Sequence, residues 1–160
     1  MVLYHGSNTV VPVPRILEPT HTLDFGPGFY TTLNRDQAAA FAAKVVDRAR
    51  TGTATLNVYD FDETEAFRQC DVLRFDGPDD RWLDFVVARR RGIPPSGFHD
   101  IVFGPVANDN VYRTLGLFMA GVLDRDQTLA ALKVRPLFNQ MVLATGKALS
   151  FLRFTRKEYV

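Results

Sequence analysis

Cysteine is nearly absent from this chain, which has only Cys70 among its 160 residues. A single cysteine excludes an intramolecular disulfide and a cysteine-built zinc site, and it is typical of a reducing compartment. An excess of charge of one sign is also missing, because 19 basic and 18 acidic residues give a formal net charge of +1. Such a balance offers no clear nucleic-acid footprint, which usually shows as a strong basic excess.

Long apolar runs are missing too. No stretch of about 18 apolar residues is present to span a bilayer, and no charged-then-apolar leader opens the sequence. Together with the lone cysteine, these features predict a cytoplasmic protein without a membrane partner. The length and the ordinary composition, 46% hydrophobic and 23% charged, predict one domain over residues 1–160.

Strand-like and helix-like segments are intermixed along the chain, without a repeat. Short β-prone runs are predicted at 2–4, 28–32, 54–62, 100–108 and 139–145. Helical patterns are predicted at 35–50 after an Asn34 cap, and at 63–75, 80–92, 110–122, 126–134 and the start of 146–159. The arginine-rich end of the third helix, 88–92, is typical of a solvated helix terminus, and contact with an acidic acceptor is the alternative. Because GxGxxG and regular βαβ alternation are missing, the pattern predicts an α+β fold.

Several kinds of catalytic site are excluded by spacing. The three histidines, at 5, 21 and 99, never fall at the i,i+4 spacing of a metal site, so no metal is predicted. The DFG triplet at 24–26 follows only 23 residues, which contain no lysine and no kinase glycine loop. Ser7 lacks the GxSxG frame of a serine hydrolase. A carboxylate beside Cys70 would raise the pKa of its thiol, which disfavours a nucleophilic role.

What remains is a set of polar residues at strand ends. His5 closes the first β-prone run and precedes Gly6, whose missing side chain would let a ligand touch the backbone. Tyr30 closes a glycine-rich segment, and Gln140 opens a strand near the C-terminus. Taken singly, each of these residue types is more often structural than functional.

Two of these segments resemble motifs of a known enzyme family. YHGS at 4–7 and GPGFYTT at 26–32 resemble the first two nucleotide-site motifs of the H-Y-E group of ADP-ribosyltransferases, which includes diphtheria toxin and the poly(ADP-ribose) polymerases. Nearly the whole chain is also similar to a small bacterial family of uncharacterised ADP-ribosyltransferase-like domains. That similarity is carried by LDFGPGFYTT, QAAAFA, CDVLRF, WLDFV, HDIVFGPVANDNVY and NQMVLATGKALSFLRF.

The resemblance implies an ADP-ribosyltransferase-like fold, in which two small, mostly antiparallel sheets flanked by helices form an NAD-binding cleft. It implies that His5 hydrogen-bonds the ribose next to adenine and that the Gly6 backbone meets the nicotinamide carboxamide. Tyr30 would stack on the nicotinamide ring. The residues implied in NAD binding are His5, Gly6, Ser7, Gly26, Gly28, Phe29 and Tyr30.

The third catalytic position departs from the family pattern. A carboxylate normally contacts the ribose 2′-OH, whereas this chain places Gln140 there, a neutral amide that offers hydrogen bonds but no general base. The nearest acids in sequence that could replace it are Glu158 and Asp109. The departure argues against chain elongation and favours mono-ADP-ribosylation of a macromolecule, with release of nicotinamide. An NAD glycohydrolase, a weak NAD- or ADP-ribose-binding module and a purely structural domain are the alternatives.

The resemblance also bears on partners. Similar bacterial domains are often toxins paired with a neutralising antitoxin protein, so such a partner is expected beside NAD and the acceptor. Sequence does not select the acceptor among protein, RNA, DNA and small molecules, because the near-neutral charge favours none of them.

Overall fold

The computed structural model of the chain describes residues 1–17, 23–94, 97–105, 109–134 and 137–160, without the side chains of residues 109 and 110. Its strands are β1 (Val2–Ser7), β2 (Phe29–Thr32), β3 (Thr55–Phe61), β4 (Val72–Arg74), β5 (Ile101–Pro105), β6 (Asn139–Leu143) and β7 (Leu152–Tyr159). Its helices are α1 (Arg35–Ala49), α2 (Glu63–Gln69), α3 (Asp80–Arg90), α4 (Asp109–Met119), α5 (Arg125–Lys133) and α6 (Gly146–Leu149). The predicted α+β class is confirmed. His21 and residues 106–108 of the predicted strand lie outside the described residues.

All seven strands belong to one mixed sheet, in the order β4-β5-β6-β2-β1-β3-β7. Only β4 and β5 run parallel, and the other neighbours are antiparallel. The expectation of two separate sheets is therefore wrong for the described residues. The two halves of the sheet are nevertheless joined narrowly, because the recorded register between β1 and β2 consists of the single pair Tyr4 and Thr32. We call this junction the seam.

Element boundaries differ from the sequence prediction in several places, and two of the differences have a clear physical reason. The helix expected over 63–75 ends at Gln69, and Val72–Arg74 forms β4, where pairing with β5 and the β-branched valine override helical spacing. With α3 as the connection, β4 and β5 form one βαβ unit that the alternation rule missed. The first strand extends past its predicted end to Ser7, because every residue of β1 pairs with β3.

Helix α1 begins as the sequence predicts. The Asn34 side chain accepts a hydrogen bond from the Gln37 amide, and the helix ends at Arg50, which adopts a left-handed conformation with φ of 54°. Ala38 and Ala42 are its buried residues, so the helix presents a face of small side chains to β1 and β3. This face allows the helix backbone to approach the sheet closely.

The core lies on both faces of the sheet. On one face, helices α3, α4 and α5 bury Trp82, Leu83, Leu115 and Leu132 against Val142 of β6 and Phe25. On the other face, a second cluster contains the following buried residues from the strands: Leu3, Phe29, Tyr59, Phe61, Ile101, Phe103, Met141 and Leu143. We call these the α3 face and the Phe29 face. No helix in the described ranges is long and apolar enough to cross a membrane.

Candidate functional site

The two motif segments meet at the seam, where β1 and β2 stop pairing. The His5 Nδ1 lies 2.8 Å from the carbonyl oxygen of Tyr30, so the imidazole contacts the backbone of β2 directly. Continuing the register of the pair Tyr4 and Thr32 would place Gly6 opposite Tyr30, but no such pair is formed in the described part of the chain. A side chain therefore makes the inter-strand contact at the point where the ladder ends.

The contact fixes the protonation pattern of His5. A carbonyl oxygen can only accept, so Nδ1 carries the proton and the neutral ring leaves Nε2 as an acceptor. Burial lowers the pKa of His5 from its ordinary value, and the hydrogen bond to Tyr30 opposes this only in part. Near neutral pH, His5 thus offers a lone pair at Nε2, which suits a hydroxyl donor such as a ribose.

Two buried residues hold His5 in place. The Phe29 ring lies 4.4 Å from the His5 ring between centroids, at an interplanar angle of 31°. Asn57, directly opposite His5 on β3, lies fully buried and accepts a hydrogen bond from the Val11 amide at 2.8 Å. Its amide nitrogen donates to the carbonyl of Thr9 at 3.2 Å, which fastens the segment after β1. Phe29 is only 5% exposed, so it supports His5 from the core rather than facing a ligand.

Ser7 ends β1 and closes the turn that follows. Its hydroxyl accepts a hydrogen bond from the Thr9 amide at 3.3 Å. Alternation along the strand places Ser7 on the same side of β1 as His5. Ser7 therefore lies on the same side of the strand as the candidate site, with its hydroxyl used in the local turn, and its implied role in NAD binding stays a prediction.

Tyr30 holds the glycine-rich loop closed. Its hydroxyl donates to the Gly26 carbonyl at 2.7 Å and accepts from the Phe25 amide at 3.2 Å. Burial raises the pKa of the hydroxyl, so it stays protonated and can make both bonds. The ring also packs against the cluster on the α3 face. Tyr30 is thereby fixed in orientation from both ends.

The glycines of the two motifs have packing roles. At Gly6, an added Cβ would overlap the carbonyl oxygen of Ala38 and lie 2.9 Å from the Ala42 nitrogen, so α1 requires glycine there. At Gly28, it would overlap Val142 Cγ1. Gly26 adopts a φ of 81°, which favours glycine whatever space surrounds it. Packing and backbone conformation alone therefore account for these three glycines, and their implied roles in NAD binding stay predictions.

Gln140 lies on the α3 face, near Tyr30 but not near the His5 ring. It pairs directly with Thr32 on one side and Gly104 on the other, and Tyr30 is two residues from Thr32 on the same face. The His5 ring stacks on Phe29, whose side chain lies on the opposite face. The structure thus joins His5 to Tyr30 and aligns Tyr30 with Gln140, but strand β2 separates the two outer side chains.

Of the two acids considered as a replacement for the missing carboxylate, the structure describes only the side chain of Glu158, which lies away from the seam. Glu158 lies on edge strand β7 and forms ion pairs with Arg35 and Arg156. The hydrogen bond from Arg35 holds the pKa of its carboxyl below the ordinary value. The side chain of Asp109 lies outside the described residues. Asp24, next to the glycine-rich loop, is bonded to Arg90 at 2.6 Å.

The predicted solvated terminus at the end of α3 is wrong for Arg90 and holds for Arg91. Arg90 is 9% exposed in its ion pair with Asp24, and its guanidinium carbon lies 4.4 Å from the centre of the Tyr112 ring. Arg89 packs against the same loop, with its Cδ beside Gly26. Only the next residue, Arg91, is exposed. Sequence spacing could not show this, because Asp24 and Arg90 are 66 residues apart.

Cys70 lies away from the seam. It packs at the margin of the Phe29-face cluster, and burial raises the pKa of its thiol, with Asp100 acting in the same direction and Lys147 opposing it. This agrees with the predicted structural role. No group of three or more His, Cys, Asp or Glu side chains in the described ranges is arranged to hold a metal ion.

A cavity of about 460 Å³ opens on the Phe29 face, at the Met1 end of the strands. Its lining is mostly apolar and includes Phe67, Phe103 and Met141, with Glu63 and Arg74 as its charged members. None of the residues predicted for NAD binding lines it. The cavity is therefore distinct from the seam.

The sequence profile of one family spans these features. The family is described as "Protein of unknown function (DUF3990)", and its profile matches residues 1–154. The chain belongs to this family. The match includes both motif segments and Gln140, but the description assigns no activity. Comparison with curated proteins and with solved structures gives no match.

Proposed function

We propose that this protein is an NAD-dependent mono-ADP-ribosyltransferase that uses the seam as its NAD site. The observation that carries the proposal is the bond between His5 Nδ1 and the Tyr30 carbonyl. It brings together the two segments that resemble the nucleotide-site motifs, although 25 residues separate them in the chain. The narrowing of the sheet to one pair at this point also supports a ligand that lies between its halves.

Each residue has a chemical role in this proposal. His5 accepts a ribose hydroxyl at Nε2, since its other nitrogen is committed to Tyr30. The Tyr30 ring, held by its hydroxyl, provides a fixed aromatic surface for nicotinamide. Gln140 accepts the 2′-OH of the ribose next to nicotinamide, reached from the α3 face. NAD itself is a substrate, so no resident cofactor is required.

The reaction is a substitution at the C1′ carbon of that ribose. The bond from C1′ to the nicotinamide nitrogen breaks with its electron pair, so neutral nicotinamide leaves as positive charge develops at C1′. A nucleophile of the acceptor then bonds to C1′ and loses its proton to solvent or to the acceptor's own surroundings. Positioning supplies most of the catalysis, because Gln140 contributes a dipole rather than a negative charge.

Free nicotinamide, measured by chromatography after incubation with NAD, tests the proposal. We expect release by the wild-type protein and a loss of at least about tenfold in His5→Asn, whose amide can still donate to Tyr30 but lacks the Nε2 acceptor. Glu158→Gln is the matched control and should retain activity, because Glu158 lies on the edge strand. Equal release by wild type and His5→Asn, or no release with any acceptor, would contradict the transferase.

A second candidate is a module that binds NAD or ADP-ribose without turnover. It is favoured by the neutral Gln140 and by the engagement of Asp24 and Glu158 in ion pairs. Calorimetric binding of NAD to the wild type, lost in His5→Asn, without release of nicotinamide would select this module.

The toxin role is a separate part of the proposal. Growth arrest on expression in bacteria, relieved by His5→Asn, would support it.

A further inference from the structure

Arg89 is a partly buried cation without a counter-ion in the described chain. Its Nε atom is buried and has no hydrogen-bond partner there. Burial lowers the pKa of its guanidinium, and no carboxylate acts against that effect. Its neighbour differs, because Arg90 Nε is bonded to Asp24 at 2.6 Å. Buried guanidinium nitrogens normally donate a hydrogen bond, so the unpaired Nε of Arg89 is an exception that needs an explanation.

The side chain is held beside the glycine-rich loop. Its guanidinium carbon lies 5.3 Å from the centre of the Phe85 ring, and its Cδ lies beside Gly26. The Gly26 carbonyl accepts from Tyr30, so Arg89 and the fixed Tyr30 hydroxyl both lie next to the same loop residue. The cation is therefore positioned by packing rather than by a charge. Its Nε is covered by the protein, so an anion would be bound by the two terminal guanidinium nitrogens, which have no partner in the described chain.

We propose that Arg89 binds a phosphate or pyrophosphate group at this loop. A guanidinium presents a planar fork of donors that matches two phosphate oxygens. The competing carboxylate, Asp24, is already neutralised by Arg90, so an approaching anion meets a net positive surface. If the proposed function is correct, the anion is the pyrophosphate of NAD; only this identity rests on it.

Calorimetry with inorganic pyrophosphate and with ADP, on the full chain, tests the proposal. We expect both to bind the wild type, and Arg89→Gln to weaken both by about tenfold or more. Arg91→Gln is the matched control, because it removes one positive charge from the exposed end of the same helix. It should change the affinity by less than about twofold. Adenosine should bind wild type and Arg89→Gln alike.

A second measurement locates the site and guards against misfolding. Pyrophosphate should shift the NMR signal of the Gly26 amide in the wild type and leave it unmoved in Arg89→Gln, whose melting temperature serves as the folding check. Failure of the wild type to bind pyrophosphate, or equal weakening in Arg89→Gln and Arg91→Gln, would overturn the site.

The two proposals fail in different ways. Binding of pyrophosphate through Arg89, without release of nicotinamide from NAD, would leave the anion site and remove the transferase. Release of nicotinamide with the same KM for NAD in Arg89→Gln would keep the transferase and refute the identification of the anion with the pyrophosphate of NAD.

Discussion

Removing the Tyr30 hydroxyl is the sharpest test of how the glycine-rich loop is held. Tyr30→Phe keeps the ring on the α3 face but loses the bonds to the Gly26 carbonyl and from the Phe25 amide. Each bond contributes about 1 kcal/mol net, so we expect the free energy of unfolding to fall by about 2 kcal/mol. For a chain of this size that lowers the melting temperature by about 4–8 °C.

Urea denaturation measures the loss, and hydrogen exchange locates it. The Phe25 amide should exchange faster in the variant, whereas the amides of β3 should still exchange only through global unfolding. Tyr112→Phe is the control, because the Tyr112 ring is 65% exposed and its hydroxyl has no partner among the described residues. Its effect should stay within about 0.5 kcal/mol. Equal unfolding free energies for wild type and Tyr30→Phe, with unchanged exchange at Phe25, would refute the reasoning.

Three further predictions concern the same region. His5→Asn should make stability less sensitive to acid, because the pKa of His5 in the folded state lies below its ordinary 6.5, so that the unfolded state takes up the proton first and the wild type loses stability as the pH drops below that value. Urea denaturation of both proteins between about pH 5 and 7.5 measures the difference. Gly6→Ala should lower the free energy of unfolding by about 3 kcal/mol or more through its overlap with Ala38, whereas Gly116→Ala, in open space on α4, should raise it by about 0.5–1 kcal/mol. Thermal melts that show equal effects for the two variants would contradict the packing described for Gly6. Asp24→Asn should lower the free energy of unfolding by up to about 3 kcal/mol, because it leaves Arg90 without its partner. Asp76→Asn, in the exposed pair with Arg74, should lower it by less than about 0.5 kcal/mol, and the urea midpoints of the two variants measure the difference.

Local signals in the sequence predicted most of the elements. The Asn34 cap and the alanine-rich run of α1 are features of adjacent residues, and the structure confirms both. The same kind of reasoning misassigned Val72–Arg74, because β4 exists through pairing with β5, a contact between distant segments. Long-range partners are the information that a single sequence does not contain.

The candidate site shows the same division. The motifs selected His5 and Tyr30, which the structure brings into contact, but they did not reveal that packing requires glycine at positions 6 and 28. Asn57, Arg89 and Asp24 were not predicted as site neighbours. Their placement depends on β3, α3 and the loop meeting in space. An aspartate upstream and a run of arginines at a helix end were visible in sequence, but nothing local connected them.

The seam has a mechanical consequence. Thr32 is the β2 member of its single pair, and its hydroxyl lies 2.7 Å from Gln37 Oε1 of α1 and 3.0 Å from the Asn139 carbonyl of β6. It also accepts from the Asn34 amide at 3.1 Å. This one side chain therefore couples the two halves of the sheet mechanically, because its hydrogen bonds connect β2 and β6 with helix α1, which packs on β1 and β3. If these hydrogen bonds were lost, we expect the two halves of the sheet to unfold independently of each other. A molecule bound across the seam would then hold the two halves together.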